Sequence, residues 1–450
     1  MDNFILANAI INSNVDSNSI LISKPLAKKL DLKNEENIIF YVGQTKKILK
    51  VKIASTGKDV LSFSLANIVF KKMYLKSSQK YGIRSNDNEV HIGPVVGIMA
   101  DFFNDTKRPF GGQTHFIKQL LISGKAIGQI CFAFSPYSVD IAKGIIIGYT
   151  YGRRGWIKSA FPIPDVIYPR ERAYSRTKLQ MRKRLESLGV TLLNPTLVGK
   201  WETHKLLMEN QQLHKFLPET RLVTSFNEVG QMLKKYDGVY LKPVAGSQGK
   251  NIINVTKKKA SLIYEFKYMN EERLVKGSAG NLNNLKAYLR KVMGNRSYIV
   301  QKEIKLIKSE GNIVDVRVLV QKDNTGEWDI TGIACRIGSN GSITSNISSG
   351  GSGKKIEEIL TQHISLERDR RRIMDDIYYL SIEATKTIEK NIGQSGEMGI
   401  DLGIDTSGNV WFIEANIRPA RQVFNLIGEP DTRLKSVERP MLYARYLAGF

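Results

Sequence analysis

The sequence predicts an α+β protein built from several domains. A chain of 450 residues is too long for one hydrophobic core and should divide into separate domains. Short β-rich runs fill the N-terminal region, alternating strands and helices follow, and the remainder mixes strands with long helices. We therefore expect a small β-rich N-terminal domain over 1–92, an α/β domain with a basic linker over 93–192, an α+β domain over 193–430 and a helical tail over 431–450.

The composition excludes secreted disulfide scaffolds and proteins with helical membrane spans. The only two cysteines, Cys131 and Cys335, lie in apolar segments, so we expect reduced core residues. The N-terminus lacks the basic region of a signal peptide, and no apolar run approaches the eighteen or so residues of a membrane span. These features indicate a soluble, cytoplasmic chain.

The two N-terminal regions differ in their predicted secondary structure. β-rich runs at 38–42, 48–53 and 60–64 alternate with polar turns, as in a small barrel, and Pro25–Leu30 predicts a helix between them. After Gly93-Pro94 the pattern changes to that of an α/β unit. It consists of a buried strand at 95–99, a helix ending near 123, and strands at 129–134 and 144–148.

The formal net charge of +24 is unevenly distributed, and residues 151–190 are especially basic. That segment carries ten Lys and Arg against three acids, including a basic helix over 173–187. Such a patch could attract nucleic acid, another anionic polymer or a polyphosphate, or it could be a solvated helix face. No helix-turn-helix, zinc-finger or RNA-recognition motif accompanies it, and the five histidines are not at metal-ligand spacing, so nucleic acid is the least favoured partner.

The C-terminal half alternates capped helices with strands. Lys200 opens a helix that must end before Pro218, and Ser225 with Glu228 forms a capping box for a helix at 226–236. The remaining expectations are a strand, a glycine loop and a second strand over 238–253, helices at 281–293, 354–363 and 367–391, and a strand at 297–301.

A hairpin near the C-terminus carries three oxygen-bearing side chains. Two strands flank a turn at 405–408, with Asp401 on the first strand and Glu414 and Asn416 on the second. Residues two apart share a face of a strand, and Asp401 can reach that face across the hairpin. Two carboxylates and an amide suit Mg²⁺, but a surface hairpin with solvated acids explains the same pattern.

Basic residues and a glycine loop indicate where phosphates could bind. Gly246-Ser-Gln-Gly249 offers unobstructed backbone amides between two strands, although it is not a Walker loop. Lys242, in an apolar run, needs an anionic partner unless its strand lies at a sheet edge and the side chain reaches water. Arg317 and Arg336 are suited to polyphosphate through their bidentate forks.

The order of these elements resembles the ATP-grasp superfamily over residues 195–425. The elements that carry the resemblance are Lys200, Lys242 with its glycine loop, Gln301-Lys-Glu-Ile304, Asp315-x-Arg317, Arg336, Ser345-Asn-x-x-x-Gly-Gly351 and Asp401…Glu414-x-Asn416. The Ser345-Asn346 element is similar to that of RimK-like ribosomal-protein glutamate ligases. The whole chain, including 161–170, resembles the YheC/YheD family, which is linked with the bacterial endospore coat. The implied fold is a pre-ATP-grasp α/β domain followed by an ATP-grasp domain over 193–430, whose two α+β subdomains clasp ATP.

The resemblance also implies a role for each site residue. Those expected to contact phosphates or form a lid over them are Lys200, Lys242, Gly246, Ser247, Gln248 and Gly249. Adenine would be read by the strand of Gln301, Lys302, Glu303 and Ile304. Asp401, Glu414 and Asn416 would hold one or two Mg²⁺, with Mn²⁺ as a substitute, and Asn346 would support metal or phosphate. Arg336 and Arg317 would stabilise the acyl phosphate and the tetrahedral intermediate.

The implied activity is ATP-dependent ligation of a carboxylate to an amine, with an acidic peptide or polymer as a candidate acceptor and with association to the spore. The alternative is a non-catalytic, nucleotide-binding scaffold of the spore surface, or a polyanion-binding protein. Ser348 and Ser349 stand where RimK-like ligases tend to have basic residues, and Gly399 stands where some ligases carry Arg. Ala420 replaces a glycine, beside added positive charge at Arg418 and Arg421. These departures leave the substrates open.

Overall fold

The computed structural model describes residues 4–54, 60–171, 175–194, 199–246, 251–258, 263–270, 273–339 and 351–450. The chain forms two compact units. The first comprises Met1–Pro195, Lys322–Glu327 and Val437–Phe450, and the second comprises Thr196–Gln321 and Trp328–Ser436. The domain borders expected from the sequence stay predictions.

A closed seven-stranded barrel opens the first unit, in the strand order β1-β5-β2-β4-β3-β7-β6. Its elements are β1 (Ile5–Ile11), β2 (Ser19–Ile22), α1 (Lys24–Leu30), β3 (Asn37–Val42), β4 (Thr45–Ile53), β5 (Ser62–Leu65), α2 (Asn67–Lys72), β6 (Gln79–Asn86) and β7 (Glu89–Gly93). A strand–helix–hairpin unit therefore occurs twice, as β2-α1-β3-β4 and as β5-α2-β6-β7. The small barrel and its helix at Pro25–Leu30 agree with the sequence.

An α/β sheet completes the first unit, in the order β11-β10-β9-β8-β12-β13. Its elements are β8 (Val95–Met99), α3 (Thr114–Ala126), β9 (Ile130–Asp140), β10 (Ile145–Gly152), β11 (Gly155–Pro162), β12 (Val166–Pro169), α4 (Arg176–Glu186) and β13 (Thr191–Leu192). β8, β9, β12 and β13 run parallel, and β10 with β11 adds an antiparallel edge.

The second unit contains two sheets, each with helices on it. The first has the order β14-β19-β15-β16-β17-β18. α5 (Lys200–Met208) precedes this sheet, whose elements are β14 (Thr220–Leu222), α6 (Phe226–Lys235), β15 (Gly238–Pro243), β16 (Ile253–Lys257), β17 (Tyr264–Asn270), β18 (Arg273–Ala279), α7 (Leu282–Met293) and β19 (Tyr298–Lys302). The capping box predicted at Ser225 and Glu228 begins α6 and is confirmed.

The second sheet of this unit has the order β23-β22-β21-β24-β25, with β20 paired to β21. Its elements, and the helices that follow, are β20 (Lys308–Ser309), β21 (Asn312–Lys322), β22 (Trp328–Ile337), β23 (Ser352–Lys354), α8 (Ile356–His363), α9 (Glu367–Ile392), β24 (Glu397–Ile404), β25 (Val410–Asn416), α10 (Gln422–Leu426) and α11 (Pro430–Leu447). α9 buries Ile373, Ile377, Leu380, Ala384 and Ile388, the spacing of one helix face.

The predicted C-terminal hairpin is confirmed as β24 and β25. Gly408 closes the turn with φ of +79°, a conformation that L side chains rarely adopt. Asp401 lies opposite Glu414 in the register, and a bulge follows between Asp401 and Leu402. The hairpin therefore presents the three predicted ligands at one end of the sheet.

The basic segment 151–190 is only partly a solvated surface. Lys178 and Arg182 face inward from α4, where Lys178 Nζ pairs with Asp101 at 2.6 Å and Arg182 pairs with Glu171. Arg170 is buried as well, against Phe116 and Tyr168. The prediction of an exposed basic surface is wrong for these three residues, because their charges are used inside the first unit.

Two expectations from composition can be checked directly. Cys131 and Cys335 are buried and unpaired, as predicted. In the part of the chain that the structure describes, no helix combines the length and apolar character needed to span a membrane.

Candidate functional site

A cavity of about 620 Å³ lies within the second unit, lined by residues of both of its sheets. The first sheet contributes Tyr240 and Lys242 of β15 and Gln301 of β19. The second sheet contributes Asp315, Arg336, Asp401 and Glu414. Residues Glu303 to Ile307, between β19 and β20, line one side of the cavity and link the two sheets along the chain.

Lys242 lies in the interior of the first sheet, between β19 and β16. Its Nζ donates to Gln301 Oε1 at 2.6 Å, and Gln301 Nε2 in turn donates to Thr220 Oγ1 at 2.8 Å. Burial lowers the pKa of Lys242 to about 8, against the opposing charge of Glu414. The alternative of an edge strand with Lys242 reaching water is therefore wrong, and this ammonium has no carboxylate in contact with it among the described residues.

Lys200 begins α5 and points toward the same region. Its Nζ donates to the carbonyl of Gly246 at 2.7 Å and lies 3.8 Å from Glu414 Oε2. Gly246 has φ of +140°, which favours glycine and starts the loop after β15. Two lysines from different elements therefore lie near one carboxylate, that of Glu414. Their positive charges suit the phosphates of a polyphosphate.

Four buried charges form a network on the second sheet. Arg336 makes a two-point pair with Asp315, Nε to Oδ1 at 2.7 Å and Nη2 to Oδ2 at 2.5 Å. Its Nη2 also lies 2.8 Å from Asp401 Oδ2. Arg317 pairs with both oxygens of Asp401 and donates from Nη1 to the carbonyl of Ala420 at 3.3 Å. All four side chains are buried, so the two positive and two negative charges neutralise one another.

This network determines the charge state of Asp401. Burial by itself would raise the pKa of Asp401, but the charges of Arg317 and Arg336 hold it well below the ordinary value. Only 1% of Asp401 is exposed. The alternative of a surface hairpin with solvated acids is therefore wrong for Asp401.

Asn416 brings the predicted metal ligands together. Its Nδ2 donates to Glu414 Oε1 at 3.1 Å and lies 3.4 Å from Asp401 Oδ2. Two carboxylates and the amide oxygen of Asn416 are the ligands that Mg²⁺ prefers, and Asn416 would turn Oδ1 rather than Nδ2 toward the ion to bind it. Among the described residues no group of three or more His, Cys, Asp and Glu could hold a metal.

Glu303 follows β19 and is held on the cavity side of the first sheet. Asn254 Nδ2 donates to its Oε1 at 2.9 Å, and the carboxylate lies against Gly238, where a Cβ would displace it. Burial raises the pKa of Glu303, opposed by the hydrogen bond from Asn254 and by nearby lysines. A half-buried carboxylate at this position can accept a hydrogen bond from an exocyclic amino group.

Most of the predicted site residues converge on this cavity. Those that line it are Lys242, Gln301, Lys302, Glu303, Ile304, Arg336, Asp401 and Glu414, while Lys200, Gly246, Arg317 and Asn416 contact them or lie next to them. The predicted residues Ser247, Gln248, Gly249 and Asn346, with Ser348 and Ser349, lie outside the described residues. Arg421 does not add free charge near Ala420, because it pairs with buried Glu397.

Sequence reasoning missed several residues of the cavity. Asp315 was noted beside Arg317 but was not assigned a role, and its pairing with Arg336 depends on strand register. Others that line it are Lys267, Lys305, Lys308 and His363, while Thr220 and Asn254 bond to the lining residues Gln301 and Glu303. The positive charges at 305 and 308, directly after the predicted adenine strand, are the one signal that could have indicated them.

Two relatives and one solved structure are similar to this chain. The chain is 28% identical over 410 residues, 89% of each chain, to the endospore coat-associated protein YheD of Bacillus subtilis (strain 168). It is 22% identical over 321 residues to YheC of the same organism, named likewise, covering 70% of this chain and 86% of the relative. A solved structure of the ATP-grasp ligase PsnB, complexed with minimal precursor, Mg and ADP, is 15% identical with a TM-score of 0.43, covering 77% of this chain and 99% of that chain.

The family described as YheC/D like ATP-grasp matches residues 189–447, which include both sheets around the cavity. The fold class expected from the sequence, with an ATP-grasp domain in the C-terminal part, is therefore confirmed. The chain belongs to the YheC/D-like ATP-grasp family.

Proposed function

We propose that this protein is an ATP-dependent ligase that joins a carboxylate to an amine. One observation carries the proposal: Lys242, Glu414 and Arg336 line a single cavity, and Lys200 and Asn416 lie beside Glu414. A nucleoside triphosphate needs cations at its phosphates and a metal-binding carboxylate beside them. Both requirements are met within the second unit.

Different residues would bind the base and the phosphates of the nucleotide, at the two ends of the cavity. Glu303 and the backbone of Lys302 and Ile304 would face the base, because the half-buried carboxylate of Glu303 offers an acceptor for the amino group of adenine. Lys200 and Lys242 would face the phosphates. Lys242 has no carboxylate in contact with it, so the free energy of burying its charge would be recovered when a phosphate oxygen approaches.

Mg²⁺ would be held by Glu414 and Asn416, with Asp401 as the third predicted ligand. When bound, the metal neutralises charge on the phosphates and orients them. Asp401 is already in contact with two guanidinium groups, so its role as a ligand stays a prediction. Arg317 and Arg336 hold their positions through these ion pairs, which fixes the guanidinium groups before substrate arrives.

The proposed chemistry proceeds in two steps. A carboxylate oxygen attacks the γ-phosphorus, the bond to the bridging oxygen breaks, and ADP leaves with that electron pair. An amine nitrogen then attacks the carbonyl carbon of the acyl phosphate, phosphate leaves, and the nitrogen loses a proton to give the amide. Arg336 lines the cavity and would stabilise the charge that develops on the acyl phosphate and tetrahedral species.

Calorimetric titration with a non-hydrolysable ATP analogue and Mg²⁺ tests the nucleotide site. Lys242→Ala and Glu414→Ala should each weaken binding by at least about tenfold, the loss expected for one charge-assisted contact. Lys205→Ala is the matched control, because Lys205 pairs with exposed Glu202 on the same unit. Binding that is equal in all three variants would refute the nucleotide site.

Release of phosphate and ADP, screened against amino acids and acidic peptides as substrates, tests the ligase activity. An amide product identified by mass spectrometry would establish the reaction. ADP formation without any amide product, or binding without turnover across the screen, would favour the alternative of a nucleotide-binding scaffold.

We also propose that the protein is associated with the spore surface, because both relatives reported above are named endospore coat-associated. Fluorescent fusion protein imaged during sporulation would localise to the forespore if this is correct. Fluorescence that stays evenly distributed in the mother cell would contradict it.

A further inference from the structure

The hairpin of β17 and β18 extends the first sheet of the second unit, and its two faces differ. On one face Phe266 packs on Tyr288 of α7, with ring centroids 4.4 Å apart. Gly277 of β18 leaves room for the ring of Phe266. The other face carries Glu265, Lys267 and Met269 of β17 opposite Ser278, Lys276 and Leu274 of β18. Among the described residues, Met269 and Leu274 belong to none of the hydrophobic cores.

Two lysines lie directly opposite each other on this second face. Lys267 pairs with Lys276 in the register, and like charges at opposed positions of a sheet destabilise it. Within the described ranges neither lysine has an ion-pair partner, since the nearby Glu265 is paired with Lys258 at 2.6 Å. The face therefore keeps a net positive charge at a cost in stability, and the charge of Lys267 also acts on Glu303.

The face is continuous with the candidate active site. Lys267 lies opposite Asn254, which lies opposite Tyr240, so one row of side chains crosses from the hairpin to the cavity. Lys267 itself lines the cavity, together with Lys305 and Lys308. An acidic chain bound on the hairpin would therefore lead toward the cavity.

We propose that this face of the β17–β18 hairpin docks an extended acidic peptide segment of the substrate. The inference rests on the proposed function, because the cavity would receive the carboxylate that the peptide carries. Carboxylates would pair with Lys267 and Lys276, and Met269 and Leu274 would contact the aliphatic parts of the peptide side chains. β18 is the last strand of the sheet in the described part of the chain, so its backbone edge can pair with an extended segment.

A peptide fits this surface better than a single-stranded nucleic acid does. Bases bind through stacking on aromatic rings, and the tyrosines of this hairpin, Tyr264 and Tyr268, are on the face that packs against the core with α7. The docking face presents the aliphatic side chains of Met269 and Leu274 beside its pair of lysines. That combination suits carboxylates carried on methylene stems.

Fluorescence anisotropy of the full-length protein tests the proposal. The probe is a fluorescein-labelled oligoglutamate peptide long enough to span the seven residues of β18, with oligoglutamine of equal length as the neutral control. Lys276→Thr should weaken oligoglutamate binding by about tenfold, the loss expected for one charge-assisted contact. The same variant should raise the midpoint of thermal unfolding, because it removes the like-charge pair and adds a β-branched residue to a strand.

Lys183→Thr, at an exposed site on α4 of the first unit, is the matched control for charge. It should leave oligoglutamate binding unchanged. Equal binding by the two variants, no measurable binding of oligoglutamate by the wild-type protein, or tighter binding of an oligothymidine through Lys276 would each overturn the proposal.

Failure of the docking site and failure of the proposed ligase are distinguishable. Lys276 does not line the cavity, so the Lys276→Thr protein should bind the ATP analogue as the wild-type protein does. Peptide binding measured without nucleotide reports the docking face alone. If oligoglutamate binds through Lys276 but no amide product forms with any acceptor, the docking inference stands and the reaction assigned to the cavity is wrong.

Discussion

Arg317 and Asp401 lie opposite each other on the adjacent strands β21 and β24 and form a two-point ion pair. Nε lies 2.5 Å from Oδ1 and Nη2 lies 3.0 Å from Oδ2. Arg336 reaches the same Oδ2 from β22 at 2.8 Å. The predicted metal-binding aspartate and the predicted catalytic arginines are thus one buried unit, and a change to one of them alters the position of the others.

Loss of Arg317 should destabilise the fold as well as the site. Arg317→Met leaves Asp401 buried with one guanidinium partner, and we expect the free energy of unfolding to fall by about 3 kcal/mol. Urea denaturation of the second unit measures it. Lys205→Met breaks an exposed pair with Glu202 and should cost less than about 1 kcal/mol. Equal losses in the two variants would contradict a structural role for the buried pair.

Affinity for the ATP analogue should decrease as the pH rises through about 8. Burial lowers the pKa of Lys242 to about 8 in the free protein, so above that pH the side chain is neutral and must take up a proton to bind phosphate. Titration in buffers of different ionisation enthalpy measures that uptake. Lys242→Arg stays protonated and should lose this pH dependence. A similar decline in the arginine variant would assign the effect to another group.

Gly399 is required because two other side chains occupy the space beside it. A Cβ there would lie 2.7 Å from Pro419 Cβ and 3.4 Å from Arg317 Nε. Gly399→Ala should therefore lower the free energy of unfolding by about 1–3 kcal/mol, the usual cost of overpacking. Gly280→Ala meets no atom within 4 Å and is the matched control in the same unit. If thermal unfolding shows equal losses, crowding at Gly399 is not the cause.

Asp165 should give the first unit a pH-dependent stability. Burial raises its pKa to about 6 from an ordinary value near 3.8, against the hydrogen bond from the Val95 amide at 2.7 Å. Between these pH values the folded protein binds a proton that the unfolded chain does not. The contribution is therefore complete below about pH 4 and is lost as the pH rises through about 6. Asp165→Asn cannot titrate, so its unfolding midpoint should lack this decrease.

Local signals predicted much of the secondary structure and several site residues. The capping box at Ser225 and the turn closed by Gly408 are confirmed, because both depend on interactions between residues close in sequence. The spacing of Glu414 and Asn416 placed both on one strand, and the structure brings them into contact. Lys242 could be identified because a lysine within an apolar run requires a partner.

The partners of those residues were not predictable from the sequence. Arg182 belongs to a run of basic residues, yet it is buried against Glu171, because the helical phase of α4 turns it inward. Lys267 has no local feature that marks it. Its position in the cavity and opposite Lys276 follows from the pairing of three strands.

The sequence by itself determined which residue types are present and how neighbours a few positions apart are oriented, since helix and strand periods are local properties. The order of its motifs, from Lys200 to Asn416, also resembles that of the ATP-grasp superfamily. Only the tertiary structure decided that Arg317 and Arg336 share the carboxylate of Asp401, and that Lys267 and Lys276 face each other. The reason is that strand register joins residues far apart in the chain, and a shift by one residue would turn each of these side chains to the other face.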